Sequence, residues 1–121
     1  MIRGPLYQFS LPPGCRAVRI CSRAGVPAGH DLAVTDCRWL GVRIAGALLA
    51  GRMLPLEGPA FAEGFYPVEQ NAEERWRWTD GAALLVLPVP PERHAILELF
   101  VPETMPAWQL PLPSPRLTQA A

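Results

Sequence analysis

The chain has 121 residues, half of them apolar and 18% charged, and its formal net charge is zero. This size and composition predict one globular domain with its own core and exclude a disordered chain. The sequence contains no basic block. Because binding to nucleic acid requires many cations in one patch, we expect no nucleic-acid partner.

All 11 cationic side chains are arginine, which is typical of a GC-rich bacterial genome. The odd cysteine count, Cys15, Cys21 and Cys37, fits neither a disulfide framework nor a zinc site, so we expect free thiols and neither metal nor cofactor. The residues after Met1 do not form the apolar stretch of a signal peptide, and the run 82–89 is too short to span a bilayer. A cytoplasmic location without a membrane span is the resulting prediction.

Fifteen prolines and ten glycines interrupt the chain so often that helices of ordinary length have little room. Short runs with period-two alternation lie between them. These patterns predict strands at 6–11, 17–22, 39–49, 53–56, 76–79, 82–87 and 94–101, a long loop at 23–37, a turn at 50–52 and one helical turn at 59–64. The expected fold is an all-β sandwich, jelly-roll-like or Ig-like, with seven to eight strands over 1–101 and a Pro-rich C-terminal extension over 102–121.

The best-defined predicted element is a hairpin whose two-residue loop is Asp80-Gly81, a pair that tolerates the positive φ angles of a type I′ turn. Its register would place Trp76 and Trp78 on one face with Ala83 and Leu85. Two tryptophans on one face suggest a sugar-stacking platform, but these neighbours favour the core for at least one of them. On the opposite face, Arg77 is either a contact for a polar ligand or an ordinary exposed strand residue.

Two groups of short motifs stand out along the chain. The first comprises FSLPPG at 9–14, VRICSR at 18–23, VPA at 26–28 and DCRWLGV at 36–42; the second comprises GFYPVE at 64–69 and RWTDGA at 77–82. Together they resemble a module found beside Hedgehog/intein-type (Hint) domains in alphaproteobacterial proteins. The second group is also similar to small accessory domains attached to bacterial glycosyltransferases. The resemblance covers about residues 5–101 and implies a β-sandwich accessory module. The Hint catalytic region is absent, so self-splicing is not implied.

The motif residues also predict structural contacts. Arg23, Asp36 and Arg38 flank the long loop and would form an ion pair that holds it. Glu69 would accept a bidentate hydrogen bond from Arg77, a structural role that we favour over ligand binding. Gly41 and Gly64 are expected at close-packing or turn positions.

Nothing in the sequence specifies a catalytic site. Cys37, His30 and Asp36 make a nominal Cys/His/Asp set without a local signature, and no nucleophile elbow, metalloprotease helix or phosphate loop is present. The acidic residues near the hairpin cluster at a turn, where solvated carboxylates are ordinary. We therefore expect no enzyme.

Two functions remain open at this point. The preferred one is a non-catalytic accessory module that binds carbohydrate or a glycoconjugate through loop-borne residues, with candidates Tyr66, Glu69, Arg77 and Asp80. The alternative is a protein-interaction or homo-oligomerisation module that pairs through exposed edge strands or the Pro-rich tail.

Overall fold

A computed structural model describes residues 6–25, 38–102 and 116–119. Within these ranges there are ten strands and no helix: β1 (Leu6–Leu11), β2 (Ala17–Cys21), β3 (Arg43–Ile44), β4 (Gly46–Leu49), β5 (Arg52–Met53), β6 (Phe61–Phe65), β7 (Glu69–Gln70), β8 (Arg75–Val86), β9 (Ala95–Phe100) and β10 (Arg116–Gln119). All the pairings between them are antiparallel. The predicted all-β class is confirmed, with ten described strands instead of the seven to eight predicted.

The strands form two sheets around one core. The first sheet has the order β1-β9-β4-β5, and the second has β10-β2-β8-β3, with β6 and β7 also paired to β8. Buried side chains from both sheets form a single apolar cluster, which includes Val18, Ile20, Ile44, Ala47, Leu85, Leu97 and Leu99. A two-sheet arrangement around a shared core is the sandwich architecture, in which each sheet buries its apolar face against the other.

The predicted Asp80-Gly81 hairpin is wrong. Both residues lie inside β8, a continuous strand of 12 residues. Its two halves pair with other strands, residues 82–86 with β2 and residues 77–78 with β3, so they cannot fold back on each other. Gly81 does adopt a positive φ, 95°. The positive φ that would permit a tight turn here instead produces a bulge in β8. The register of the pairing between β6 and β8 shifts at the same place.

The predicted helical turn at 59–64 is also wrong. The chain turns at 56–60 and then enters β6, which pairs with β8. Phe61 is buried in the core, and its ring meets the Phe65 ring edge-on at 4.9 Å between centroids. Burial of these aromatic rings between strands outweighs the local Pro59 and Gly64 signals for a short helix.

The predicted strand at 39–49 is divided between the sheets. Leu40, Val42 and Ile44 are buried, as the alternation predicts, but β3 ends at Ile44 and β4 begins at Gly46 in the other sheet. The chain therefore crosses from sheet to sheet at Ala45. Beyond β4, Ala50 and Gly51 have φ of 50° and 82° and connect β4 to β5 as a two-residue hairpin loop.

The predicted strand at 94–101 corresponds to β9. Its alternation predicts Ala95, Leu97, Leu99 and Val101 on the inner face; the last three are buried and Ala95 is partly buried. β10 lies within the segment predicted as a C-terminal extension, and it pairs with β2 from Arg116 opposite Cys21 to Gln119 opposite Val18. Across the described ranges, no helix is present that is long and apolar enough to cross a membrane.

Candidate functional site

The four candidate ligand residues lie along the border between β8 and the β6–β7 segment. Glu69 begins β7 and pairs with Trp76 of β8. The Tyr66 amide, between β6 and β7, donates to the Trp78 carbonyl at 2.9 Å. Arg77 and Asp80 both belong to β8. The antiparallel pairing of β8 therefore brings residues 66–69 next to residues 76–80.

Glu69 forms its ion pair with Arg38, not with Arg77 as predicted. The Arg38 Nη1 donates to the Glu69 Oε2 at 2.7 Å, and the two side chains are 34% and 35% exposed. The Arg38 guanidinium also lies over the Tyr66 ring, 5.4 Å from its centroid. In turn, the Tyr66 hydroxyl donates to the Trp39 carbonyl at 2.8 Å. These contacts hold the segment before β3 against β7.

Trp39 is the most exposed aromatic side chain of this region, at 54%. We call Arg38, Trp39, Tyr66, Glu69 and Asp80 the Tyr66 surface. Trp39 is not among the site residues predicted from the sequence. Its outward position in the alternation, opposite in parity to the buried Leu40 and Val42, was the available signal.

Arg77 donates hydrogen bonds to backbone carbonyls beneath this surface. Its Nε donates to the Tyr66 carbonyl at 2.7 Å and its Nη1 donates to the Leu56 carbonyl at 2.8 Å. The guanidinium lies over the rings of Phe61 and Phe65, at 5.7 and 5.6 Å from their centroids. Partial burial lowers the pKa of Arg77 from its usual value. Because its donors are directed at two carbonyls, Arg77 positions Tyr66.

Asp80 shares a small cavity with Tyr66. The cavity measures about 240 Å³ and is lined by Gly64, Phe65, Tyr66 and Asp80. One Asp80 carboxylate oxygen accepts from the Ala82 amide at 2.9 Å. Gly64 has φ of 79°, and a Cβ there would lie 2.8 Å from the same oxygen. The structure thus confirms Gly64 as a close-packing position and places Asp80 beside Tyr66.

Trp76 and Trp78 form a second aromatic cluster, outside the core. Both are half-buried, and neither belongs to the buried apolar cluster, so the prediction that at least one lies in the core is wrong. The reason is that β8 is one strand: Thr79 faces the core, and Trp78 points the opposite way. Arg43, paired with Trp78 across β3 and β8, lies over both indole rings at 5.1 and 5.5 Å.

The cluster formed by Arg43, Trp76 and Trp78 is poorly solvated. The Nε of Arg43 and the Nε1 of Trp76 are buried and have no hydrogen-bond partner among the described residues. Desolvation lowers the pKa of Arg43, and the nearby carboxylates of Glu74 and Glu69 partly offset this by raising it. Stacking of the guanidinium on two rings supplies the attraction that keeps it there.

The remaining motif predictions have mixed outcomes. Gly41 is confirmed as a close-packing residue, since a Cβ there would lie 2.6 Å from the Gly81 amide nitrogen. Asp36 lies outside the described residues, as do His30 and Cys37, so the predicted pair with Arg23 and the nominal Cys/His/Asp set stay predictions. No cluster of three metal-ligating side chains occurs at 6–25, 38–102 or 116–119.

No known protein family model matches the chain, and neither does any curated protein or solved structure. The resemblance to modules beside Hint domains and glycosyltransferases therefore stays a prediction from the motif residues. The fold defines the class as a two-sheet antiparallel β-protein.

Proposed function

We propose that the chain is a non-catalytic accessory module that binds carbohydrate at the Tyr66 surface. The observation that carries the proposal is the exposed Trp39, whose carbonyl accepts from the Tyr66 hydroxyl and whose chain neighbour Arg38 forms the ion pair with Glu69. Indole faces pack against the apolar C–H faces of sugar rings, and aromatic side chains contribute large contact areas. Guanidinium and carboxylate groups supply donors and acceptors for hydroxyls.

The surface is already held in place without a ligand. Tyr66 is fixed through its hydroxyl to the Trp39 carbonyl and through its own carbonyl to Arg77. The Arg38 guanidinium is fixed by the Tyr66 ring and by Glu69. Ordering side chains on binding costs free energy, so a surface that is ordered beforehand binds more tightly. This arrangement favours a binding role for the whole group.

The shape of the surface favours contact with one face of a sugar chain. Its cavity of about 240 Å³ at Tyr66 and Asp80 is smaller than the roughly 300–1,000 Å³ of enclosed small-molecule sites. A glycan would therefore lie across Trp39 with one substituent directed toward Asp80.

Donors of the protein orient both carboxylates of the Tyr66 surface. Glu69 accepts from Arg38, and Asp80 accepts from the Ala82 amide. Each of these bonds uses one carboxylate oxygen, and the second oxygen of each group supplies an acceptor for a glycan hydroxyl.

The test is a glycan array with the full chain, followed by titration of the best glycan with tryptophan fluorescence. We expect Trp39→Ala to abolish binding. The control Met53→Ala removes a 60% exposed apolar side chain from the other sheet and should leave binding unchanged. Absence of binding to any glycan, or equal binding by wild type and Trp39→Ala, would overturn the proposal.

The alternative function is a protein-interaction or homo-oligomerisation module. It is favoured by a different feature, the edge strand β1, whose six residues contain neither a charge nor a proline. Exposed edges of this kind pair with other chains. A monomer in light scattering at all concentrations would contradict the homo-oligomeric form of this alternative.

A further inference from the structure

β1 is the least protected sheet edge of the described chain. It is the first strand in the order β1-β9-β4-β5, and no described strand pairs with its other side. The opposite edge, β5, has two residues and includes Arg52, while β10 of the other sheet has four and includes Arg116. Natural proteins protect edges by shortness, charge, proline or bulges. β1 uses none of these devices.

The hydrogen-bonding groups of this open edge follow from the pairing of β9. The carbonyls of Ile96 and Phe100 accept hydrogen bonds from the amides of Ala50 and Ala45. The backbone N–H and C=O groups of these β9 residues therefore point toward β4. The alternate residues of β9 consequently face β1, where Leu97 pairs with Phe9 and Leu99 pairs with Tyr7. The backbone N–H and C=O groups of Leu6, Gln8 and Ser10 therefore point away from β9, to the open edge.

We propose that a second copy of this chain pairs with β1 in antiparallel fashion, about a two-fold axis at Gln8. Gln8 then lies opposite Gln8 of the second copy, and Leu6 lies opposite Ser10. Each of these pairs exchanges both backbone hydrogen bonds, as in a closely spaced antiparallel pair. The two four-stranded sheets join into one continuous sheet with a closed, isologous interface.

The side chains in this register are self-complementary. Tyr7 lies opposite Phe9 of the second copy on the inner face of the sheet, and cross-strand aromatic pairs stabilise sheets. In the single chain, both rings are only partly buried against the core. Beside them lies a cavity of about 340 Å³, lined in part by Phe9, Cys15 and Leu117. Pairing covers this side of the sandwich.

The side chains on the outer face of β1 are also compatible with pairing to a second copy. Gln8 is neutral, and its side-chain amide donates to the Glu98 carboxylate at 2.9 Å. No like charges therefore meet at the axis within β1. Leu6, which is 44% exposed, gains a neighbour in Ser10 of the second copy. A strand of an unrelated protein would satisfy the backbone equally, but only a second copy supplies the Tyr7–Phe9 pairs on both sides of the axis.

The experiment measures the mass of the full chain by size-exclusion chromatography with light scattering, over a wide concentration range. We expect a particle of twice 13.3 kDa at high concentration that dissociates on dilution. Gln8→Pro removes the N–H that points to the open edge and leaves the bonds to β9, because edge strands tolerate proline at such positions. Its dissociation constant should rise at least about tenfold. Gln8→Ala also loses the Glu98 contact but keeps the N–H, so it should still dimerise.

Amide exchange measured by NMR on the wild-type chain gives a second readout, which decides the matter if Gln8→Pro does not fold. The Gln8 N–H should exchange more slowly as the concentration rises. A wild-type monomer at every concentration overturns the proposal. A dimer that persists in folded Gln8→Pro, or Gln8 exchange that is independent of concentration, overturns it as well. None of these results depends on glycan binding, so the two proposals fail separately.

Discussion

Arg38 and Glu69 are 31 positions apart in the sequence and are joined by an ion pair of 2.7 Å. The pair connects the segment before β3 to the first residue of β7. Since each side chain is about one-third exposed, solvent screens the attraction, and such pairs contribute only about 0–1 kcal/mol to stability. The main effect of the pair is positional: it holds Trp39 beside Tyr66.

Glu69→Gln should therefore affect binding more than stability. Loss of the charge weakens the contact between Arg38 and residue 69 to a neutral hydrogen bond. Under the proposed function, glycan affinity should therefore fall several-fold, while the free energy of unfolding decreases by at most about 1 kcal/mol. Isothermal titration and urea denaturation measure the two effects. Glu92→Gln, at an exposed carboxylate between β8 and β9, is the matched control and should change neither. A large loss of stability in Glu69→Gln, with affinity unchanged, would contradict this assignment.

Gly41→Ala should destabilise the fold strongly. The added Cβ would lie 2.6 Å from the Gly81 nitrogen and 2.7 Å from the Thr79 hydroxyl, and the backbone at Gly81 has little room to move. Overpacking of this kind typically costs about 1–3 kcal/mol. Gly51→Ala is the control: its φ is 82°, but nothing lies within 4 Å, so only the conformational strain of an L-residue, about 1–2 kcal/mol, is expected. Urea midpoints that rank the two variants in the opposite order would refute the close-packing argument.

Thr79→Val tests the one buried polar side chain of the described core. The Thr79 hydroxyl donates to the Val42 carbonyl at 3.0 Å. That carbonyl also accepts from the Thr79 amide, so it keeps a partner in the variant. We expect a loss of about 0.5–1.5 kcal/mol, the net contribution of one hydrogen bond. Thr118→Val, at an exposed position of β10, should be nearly neutral in the same denaturation experiment.

Arg43→Met should change tryptophan fluorescence with little change in stability. The variant loses the stacking of the guanidinium on Trp76 and Trp78, worth about 0.5–2 kcal/mol. It also no longer buries a charged group, and burial of that charge is what lowers the pKa of Arg43. The lost stacking destabilises the variant and the removed burial of charge stabilises it, so the two effects oppose each other. Emission spectra and thermal unfolding measure both quantities. Arg52→Met, in the exposed strand β5, should leave the emission spectrum as in wild type.

Several features of the fold were predictable because they depend on local chemistry. The frequent prolines and glycines exclude long helices, and the alternation in 94–101 places Leu97 and Leu99 inside regardless of which strands are neighbours. Gly41 was also identifiable, since a glycine within a strand pattern indicates close approach of another backbone. Gly64 was not, because the local signals place it at the end of a helical turn that the structure does not form. The candidate residues Tyr66 and Asp80 do lie together, at one cavity.

What the sequence by itself determined is thus the all-β class, the inward face of β9 and a special backbone position at Gly41. The tertiary structure alone decided that Asp80-Gly81 forms a bulge. Positive φ at Gly81 suits a hairpin loop or a bulge equally, and the choice depends on β2 and β6, which are distant in sequence. It likewise decided the partner of Glu69 and the outward position of Trp76 and Trp78. Long-range pairing sets these features, because neighbouring strands compete for the same backbone groups and a local pattern does not record which strand is paired.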